Sequence, residues 1–139
     1  MPPQPKFVIF AHHATYDTLH QVATLGLTAA AMGKDVIVVL LFWTIKKLAE
    51  GRIDEIDFPP EYAASANEVA RLLKEKKVPK ISEIFQDAKH VVKFRLVACS
   101  AGLEYMGVDS AVVEKNVDEV MGLPAIIALT SDAETKLFI

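Results

Sequence analysis

The only cysteine of the chain, Cys99, has the side chain with the sharpest chemistry. It directly follows an apolar run at 92–98 and precedes a helical pattern, so we expect it at a strand-to-helix junction. Backbone N–H groups and the positive end of a helix dipole stabilise a thiolate at such a position. A thiolate attacks sulfane sulfur and would hold it as a persulfide, whose outer sulfur a partner thiol can take. The alternative interpretation is a small buried hydrophobic residue.

Two adjacent histidines, His12 and His13, follow the first apolar run and form a second candidate group. His13, Asp17 and His20 would lie on adjoining turns of a helix, but their spacing matches no zinc signature, so we predict no metal site. Loop or helix-capping roles are one interpretation of the two histidines. The other is that a histidine near Cys99 stabilises its thiolate.

Further candidate residues follow the second and third apolar runs. An aromatic side chain such as Trp43 could shield a persulfide from water, although a place at the rim of the core is the simpler interpretation. The backbone of Ser100, Ala101 and Gly102 would steady the thiolate of Cys99. Neither a glycine-rich phosphate-binding pattern nor the G-x-S-x-G elbow of serine hydrolases can be written anywhere in the chain.

These residues need elements to position them. Near-continuous apolar runs at 6–11, 36–42 and 92–98 are typical of parallel strands that helices cover on both faces. Helical patterns occupy residues 15–32, ended by Gly33, then 64–77, 81–89, 101–106 and 125–133, which follows Pro124. Residues 116–121 and 136–139 supply a fourth and a fifth strand, and 51–62 form a surface loop. The alternation predicts a doubly wound α/β domain with one parallel sheet.

The carboxyl ends of parallel strands meet at one edge of the sheet, where the ligand crevice of such domains lies. Segments 11–15, 42–44 and 99–102 should therefore converge there.

Length and composition limit the class of protein. The chain has 139 residues, 52% of them hydrophobic, which predicts a single domain over 1–139 with a flexible N-terminus at 1–5. A net charge of -3 without a basic run argues against nucleic acid as a partner. The longest apolar run, 36–43, is shorter than the roughly 20 residues of a membrane-spanning helix. The start of the chain has no secretory signal, so we expect a cytoplasmic protein.

The predicted first helix is apolar around most of its circumference, and one face of a sheet cannot cover it all. Either other helices of the same chain or a second subunit must bury the remainder. We therefore expect a homo-oligomer.

Three segments carry a resemblance to a known family: residues 29–36 leading to 41–43, residues 97–108 (VACSAGLEYMGV) and residues 135–139. They resemble the DsrE/DsrF-like sulfur relay family, and within it the DsrE2-type branch. The resemblance implies a flavodoxin-like three-layer sandwich with a five-stranded parallel sheet and assembly into trimers or hexamers. We expect no cofactor. The resemblance also implies sulfane sulfur transfer through Cys99 with TusA-like or rhodanese-like carrier proteins. Without a second cysteine, transfer must go to another chain.

Three functional hypotheses follow. The first is a cytoplasmic sulfur carrier or sulfurtransferase subunit that accepts and donates sulfur on Cys99. The second is a non-catalytic module whose crevice, lined by His12, His13 and Trp43, binds a small ligand without covalent chemistry. The third is an oligomeric scaffold built on the apolar first helix.

Overall fold

A computed structural model describes residues 3–91 and 93–139 of the chain. In these residues five strands form one parallel sheet in the order β4-β3-β2-β1-β5. The strands are β1 (Lys6–Ala11), β2 (Asp35–Leu40), β3 (Phe94–Cys99), β4 (Glu119–Met121) and β5 (Thr135–Phe138). Helices lie on both sides of the sheet, so the predicted flavodoxin-like α/β fold is confirmed.

Seven α-helices connect the strands within the described residues. They are α1 (Tyr16–Ala31), α2 (Trp43–Ala49), α3 (Ala66–Glu75), α4 (Ile81–His90), α5 (Ser100–Tyr105), α6 (Ser110–Glu114) and α7 (Leu123–Thr130). A 3-10 helix at Pro60–Ser65 precedes α3, so the helix predicted at 64–77 is shorter at both ends, and the loop predicted at 51–62 ends in this 3-10 helix. The helices predicted at 15–32, 81–89 and 101–106 are confirmed to within a residue, whereas α2 and α6 were not predicted.

The second strand is the centre of the core, because all six of its residues are buried between neighbouring strands and the covering helices. Its predicted extent, 36–42, is wrong at the carboxyl end, since the strand stops at Leu40. Leu41 and Phe42 leave the sheet, and α2 starts at the next residue. The early exit of the chain from the sheet sets the position of α2.

Most apolar residues of α1 are buried inside the chain, whereas Leu25 is 36% exposed. The helix packs on β1, β2 and β3 and along α4, with Leu19, Val22 and Ala23 fully buried. Gly26 permits the close approach, because a Cβ atom there would lie 2.8 Å from a ring carbon of Phe94. Contacts within the chain therefore cover most of α1, and the homo-oligomer stays a prediction.

Other apolar side chains are exposed on the opposite flank of the sheet. Ile127 of α7 is 65% exposed and Phe138 of β5 is 73% exposed. The ring of Phe138 stacks on Phe10 of β1 with 4.7 Å between centroids. Ile127 and Phe138 are therefore candidates for an apolar contact between copies of the chain.

The sequence predicts a flexible N-terminal segment at 1–5 and no membrane-spanning helix. Residues 1 and 2 of the segment expected to be flexible, 1–5, lie outside the described residues, while the carbonyl of Pro5 accepts the N–H of Asp35 at 3.0 Å. No helix in 3–91 or 93–139 has the length and apolar character to cross a membrane.

Truncation of a buried residue on α1 tests how this helix is covered. Leu19→Ala should lower the free energy of unfolding by about 2–5 kcal/mol, because it leaves a cavity between α1 and the sheet. Leu25→Ala, at a position 36% exposed on the same helix, should cost well under about 1 kcal/mol. Urea unfolding measures both. A larger cost at Leu25, with loss of an oligomer, would mean that a second subunit covers α1.

Candidate functional site

The carboxyl ends of β1 and β2 are tied together by one hydroxyl group. Thr44 of α2 is fully buried, and its Oγ1 donates to the carbonyl of Ala11 at 2.8 Å. The same oxygen accepts the N–H of Leu41 at 3.0 Å. Thr44 thereby holds the start of α2 against the end of the sheet.

Cys99 lies where the sequence places it, as the last residue of β3 and directly before α5. It pairs with Met121 of β4 and is a free thiol. Its side chain, however, is buried, with 3% of the residue exposed. A sulfur carrier needs an accessible thiol, and the thiol of Cys99 is not accessible in this conformation.

A close approach of α5 to α2 takes place beside Cys99, and Gly102 makes it possible. A Cβ atom on Gly102 would lie 2.6 Å from Cδ1 of Ile45, 3.6 Å from the backbone nitrogen of Phe42 and 3.8 Å from Cβ of Cys99. The role predicted for Gly102 was to steady a thiolate through its backbone. What the structure shows is a packing role, because the absent side chain lets the two helices meet.

The backbone of Phe42 is strained. Its φ of 47° and ψ of -111° fall in a region that favours glycine. A residue with a side chain pays about 1–3 kcal/mol there, and such residues cluster at functional sites. Phe42 is 48% exposed, and its ring centroid lies 6.3 Å from that of Tyr105, which is 71% exposed. Strain, a close helix contact and the thiol thus converge at the ends of β2 and β3.

A cavity of about 310 Å³ opens beyond the ends of β1 and β2. The loop after β1 contributes His13, Ala14 and Thr15, and α2 contributes Trp43, Lys46 and Lys47. The loop after α2 completes the lining with Arg52 and Asp57. We call this space the β1–β2 cavity.

The structure divides the predicted site residues into two groups. His13 and Trp43 come together in the β1–β2 cavity. His12 lies beside the cavity, and its ring centroid is 4.1 Å from that of His13. The backbone N–H of His12 donates to the carbonyl of Ile139. Cys99 does not line the cavity.

The residues after Cys99 are also outside the cavity. Ser100 is exposed, Ala101 is half-buried and Gly102 is buried in the first turn of α5. The histidines and the thiol are therefore not brought into one site. Among the described residues, no three His, Cys, Asp or Glu side chains cluster in a way that could hold a metal ion.

A buried lysine forms one wall of the cavity. Lys47 is 5% exposed, and its Nζ donates to the carbonyl of Ala14 at 2.7 Å, to Oδ1 of Asp57 at 2.7 Å and to the carbonyl of Glu55 at 3.3 Å. Oδ1 of Asp57 also accepts the N–H of Tyr16 at 2.9 Å. These bonds join α2, the β1–α1 loop and the loop after α2.

Sequence reasoning missed this wall. Residues 51–62 were predicted only as an acidic surface loop, and the segment that contains Lys47 was given no helix. Had α2 been recognised, the three-residue step from Thr44 to Lys47 would have indicated that both lie on its inner face.

Arg52 lies at the mouth of the cavity between two carboxylates. Its Nη1 donates to Glu50 at 2.8 Å and its Nε donates to Glu55. These bonds raise the pKa of Arg52, and the hydrogen bond from Arg52 lowers the pKa of Glu55. Both side chains are therefore charged at neutral pH. Nζ of Lys46 lies 3.8 Å from Oε1 of Glu50.

Comparison with known proteins shows the fold. No protein-family model and no curated protein matches the chain. The chain is similar to the solved structure of BT1422 from Bacteroides thetaiotaomicron, a conserved protein of unknown function, with a TM-score of 0.59 and 16% identity over 97% of this chain and 95% of that one. It is also similar to the ychN protein from E. coli, with a TM-score of 0.63 and 15% identity over 99% of this chain and 100% of that one.

The contact between α5 and α2 can be tested with a double-mutant cycle. Gly102→Ala should cost about 1–3 kcal/mol, because the new methyl group overlaps Cδ1 of Ile45. Ile45→Val removes that atom at a cost of about 0.5–1.5 kcal/mol. In the double variant the cost of Gly102→Ala should fall, and the cycle cancels any gain in helix propensity. Chemical denaturation of the four proteins gives the coupling energy, and strictly additive costs would contradict this packing.

Removal of the buried ammonium tests the cavity wall. Lys47→Met should destabilise the protein by about 1–3 kcal/mol, because it leaves the Ala14 carbonyl and the Asp57 carboxylate short of a donor. The adjacent Lys46→Met is the matched control and should change stability by less than about 0.5 kcal/mol, since Lys46 is half exposed. Thermal and urea unfolding measure the difference. Equal costs at the two lysines would mean that Lys47 does not brace the wall.

Proposed function

We propose that this chain is a sulfur carrier or sulfurtransferase subunit that holds sulfane sulfur as a persulfide on Cys99. The observation that carries the proposal is the position of Cys99, at the carboxyl end of β3 and at the head of α5, next to the strained Phe42. The resemblance of residues 97–108 to the DsrE/DsrF-like family supports it.

The transfer needs only thiol chemistry. The thiolate of Cys99 attacks the outer sulfur of a donor persulfide, R–S–SH, whose S–S bond breaks so that R–S⁻ leaves and takes up a proton. Cys99 then carries the –S–SH group. A thiolate of the recipient attacks the outer sulfur in turn, and the Cys99 thiolate is the leaving group. The two steps are exchanges, so no external oxidant or reductant is required.

Burial of the thiol makes access part of the proposed mechanism. The contact of Gly102 with Ile45 and Phe42 lies beside Cys99, so separation of α5 from the start of α2 would expose the sulfur. Opening that relaxes the Phe42 backbone recovers about 1–3 kcal/mol of strain, which lowers its cost. Closed, the same contact keeps water and oxidants from a bound persulfide.

The recipient must be another chain, because this one has a single cysteine. A TusA-like or rhodanese-like carrier is the partner that we propose, in the cytoplasm. Three exposed aromatic residues of α2, its N-cap and α5 suit a protein contact, namely Phe42, Trp43 and Tyr105. Assembly of the chain into a homo-oligomer is a further part of the proposal, and the exposed Ile127 and Phe138 favour it.

A second candidate function is the binding of a small ligand without covalent chemistry. The β1–β2 cavity favours it, because two of the three residues predicted to line such a crevice, His13 and Trp43, do so. Its volume of about 310 Å³ falls at the lower end of the range of small-molecule sites.

Mass spectrometry of the native protein tests the carrier function. After incubation with polysulfide, the wild type should gain sulfur, and dithiothreitol should remove it, because the adduct is a persulfide. Cys99→Ser should gain none. Thiosulfate and tetrathionate serve as alternative donors. Transfer of the bound sulfur from Cys99 to a candidate carrier protein in a single turnover identifies the recipient.

The control is the same wild-type protein unfolded in guanidinium chloride, in which Cys99 must react with a thiol reagent. If the unfolded thiol reacts but the native protein forms no adduct with any of the three donors, the sulfur carrier proposal is wrong. A native thiol that stays inert points instead to the second candidate function.

A further inference from the structure

The charges that line the β1–β2 cavity are unequal. Lys46, Lys47 and Arg52 supply three cations to its wall, whereas Asp57 supplies the one carboxylate of the lining. That carboxylate already accepts from the Lys47 ammonium and from the Tyr16 N–H. Glu50 and Glu55, which pair with Arg52, lie outside the lining, so cations outnumber carboxylates among the residues that face the cavity.

Two of the three cations have capacity for a ligand. Lys47 is occupied by its three bonds in the wall. Arg52 uses two of its N–H groups on Glu50 and Glu55, while a guanidinium carries five. Lys46 lies 3.8 Å from Glu50, outside hydrogen-bond distance. The two carboxylates also hold Arg52 in place, so less side-chain entropy is lost when it binds a ligand.

Two further features favour an anion with a flat part. Thr15, in the lining, directly precedes α1, a helix of 16 residues with partial positive charge at its N-terminus. The first N–H of that helix, from Tyr16, already donates to Asp57, which takes up part of this charge. Trp43, on the opposite segment, is 54% exposed and offers an indole face in the same space. An indole contributes apolar area and stacks on planar groups.

We propose that the β1–β2 cavity binds a small organic anion, with a carboxylate or sulfonate against Lys46 and Arg52 and a planar apolar part against Trp43. This inference names a ligand class for the second candidate function and rests on that function. It does not depend on the chemistry of Cys99.

Trp43 is the only tryptophan in the chain, so its fluorescence reports directly on the cavity. Benzoate and benzenesulfonate are the probes, and benzamide is the neutral control of the same shape as benzoate. The two anions should change the Trp43 emission saturably, and benzamide should bind about tenfold more weakly, because it lacks the charge-assisted hydrogen bonds. Added sodium chloride should weaken the binding of the two anions and leave the binding of benzamide unchanged.

Variants locate the site. Arg52→Gln and Lys46→Gln should each weaken the binding of benzoate roughly three- to tenfold without changing the binding of benzamide. Lys34→Gln is the matched control, because Lys34 pairs with Glu134 at 2.9 Å before the start of β2. This variant should bind benzoate as the wild type does. Circular dichroism verifies that each variant is folded.

Benzamide binding as tight as benzoate binding, or benzoate binding that both Arg52→Gln and Lys46→Gln leave intact, would overturn the inference. Cys99→Ser separates it from the carrier proposal, because this variant should bind benzoate normally while forming no sulfur adduct. A wild type that forms the adduct but shows no saturable response to either anion would refute the anion site and leave the carrier proposal standing.

Discussion

The sharp exit of the chain from the sheet after Leu40 is the constraint on which both candidate sites depend. A buried strand normally continues while its residues remain apolar, and Leu41, Phe42 and Trp43 are apolar. Here the strained Phe42 backbone turns the chain, and the Thr44 hydroxyl fastens the new helix to the Ala11 carbonyl. The cost of the strained residue is thus offset by bonds that can form only when α2 starts at this point.

From that turn follow the two faces of α2. One face meets α5 through Ile45 and Gly102 and closes the surroundings of Cys99. The other presents Lys47 to Asp57 and the Ala14 carbonyl, and so forms the cavity wall. A seven-residue helix therefore contributes both to the packing beside the thiol and to the wall of the cavity.

Features set by local pattern were predictable from the sequence. Strand β1 was predicted at its observed bounds, and Gly33, at φ 84°, ends the first helix as expected. The end of β2 was not predictable, because an apolar aromatic pair at 42–43 has the same pattern in a strand as in the start of a helix. Without α2, neither the inner position of Lys47 nor the cavity wall could be inferred.

The site was predictable in position but not in exposure. The place of Cys99 after β3 follows from the apolar run and the helical pattern around it. Its burial is a result of tertiary packing, and the contact beside it joins Ile45 and Gly102, two residues 57 positions apart that no local pattern relates. The cover of α1 by α4 is a tertiary choice of the same kind, and the sequence left it open between one chain and two.

Phe42 and Trp43 are consecutive residues, yet the backbone of one touches the helix beside the thiol and the side chain of the other lines the cavity. The two proposed equilibria, occupancy of the cavity and uncovering of the sulfur, would thereby share one short segment. A ligand that prefers the closed arrangement of this segment must make uncovering less favourable by the same free energy by which uncovering weakens its binding. The domain thus has the connectivity for thermodynamic linkage between a non-covalent occupant and the reactivity of its lone thiol.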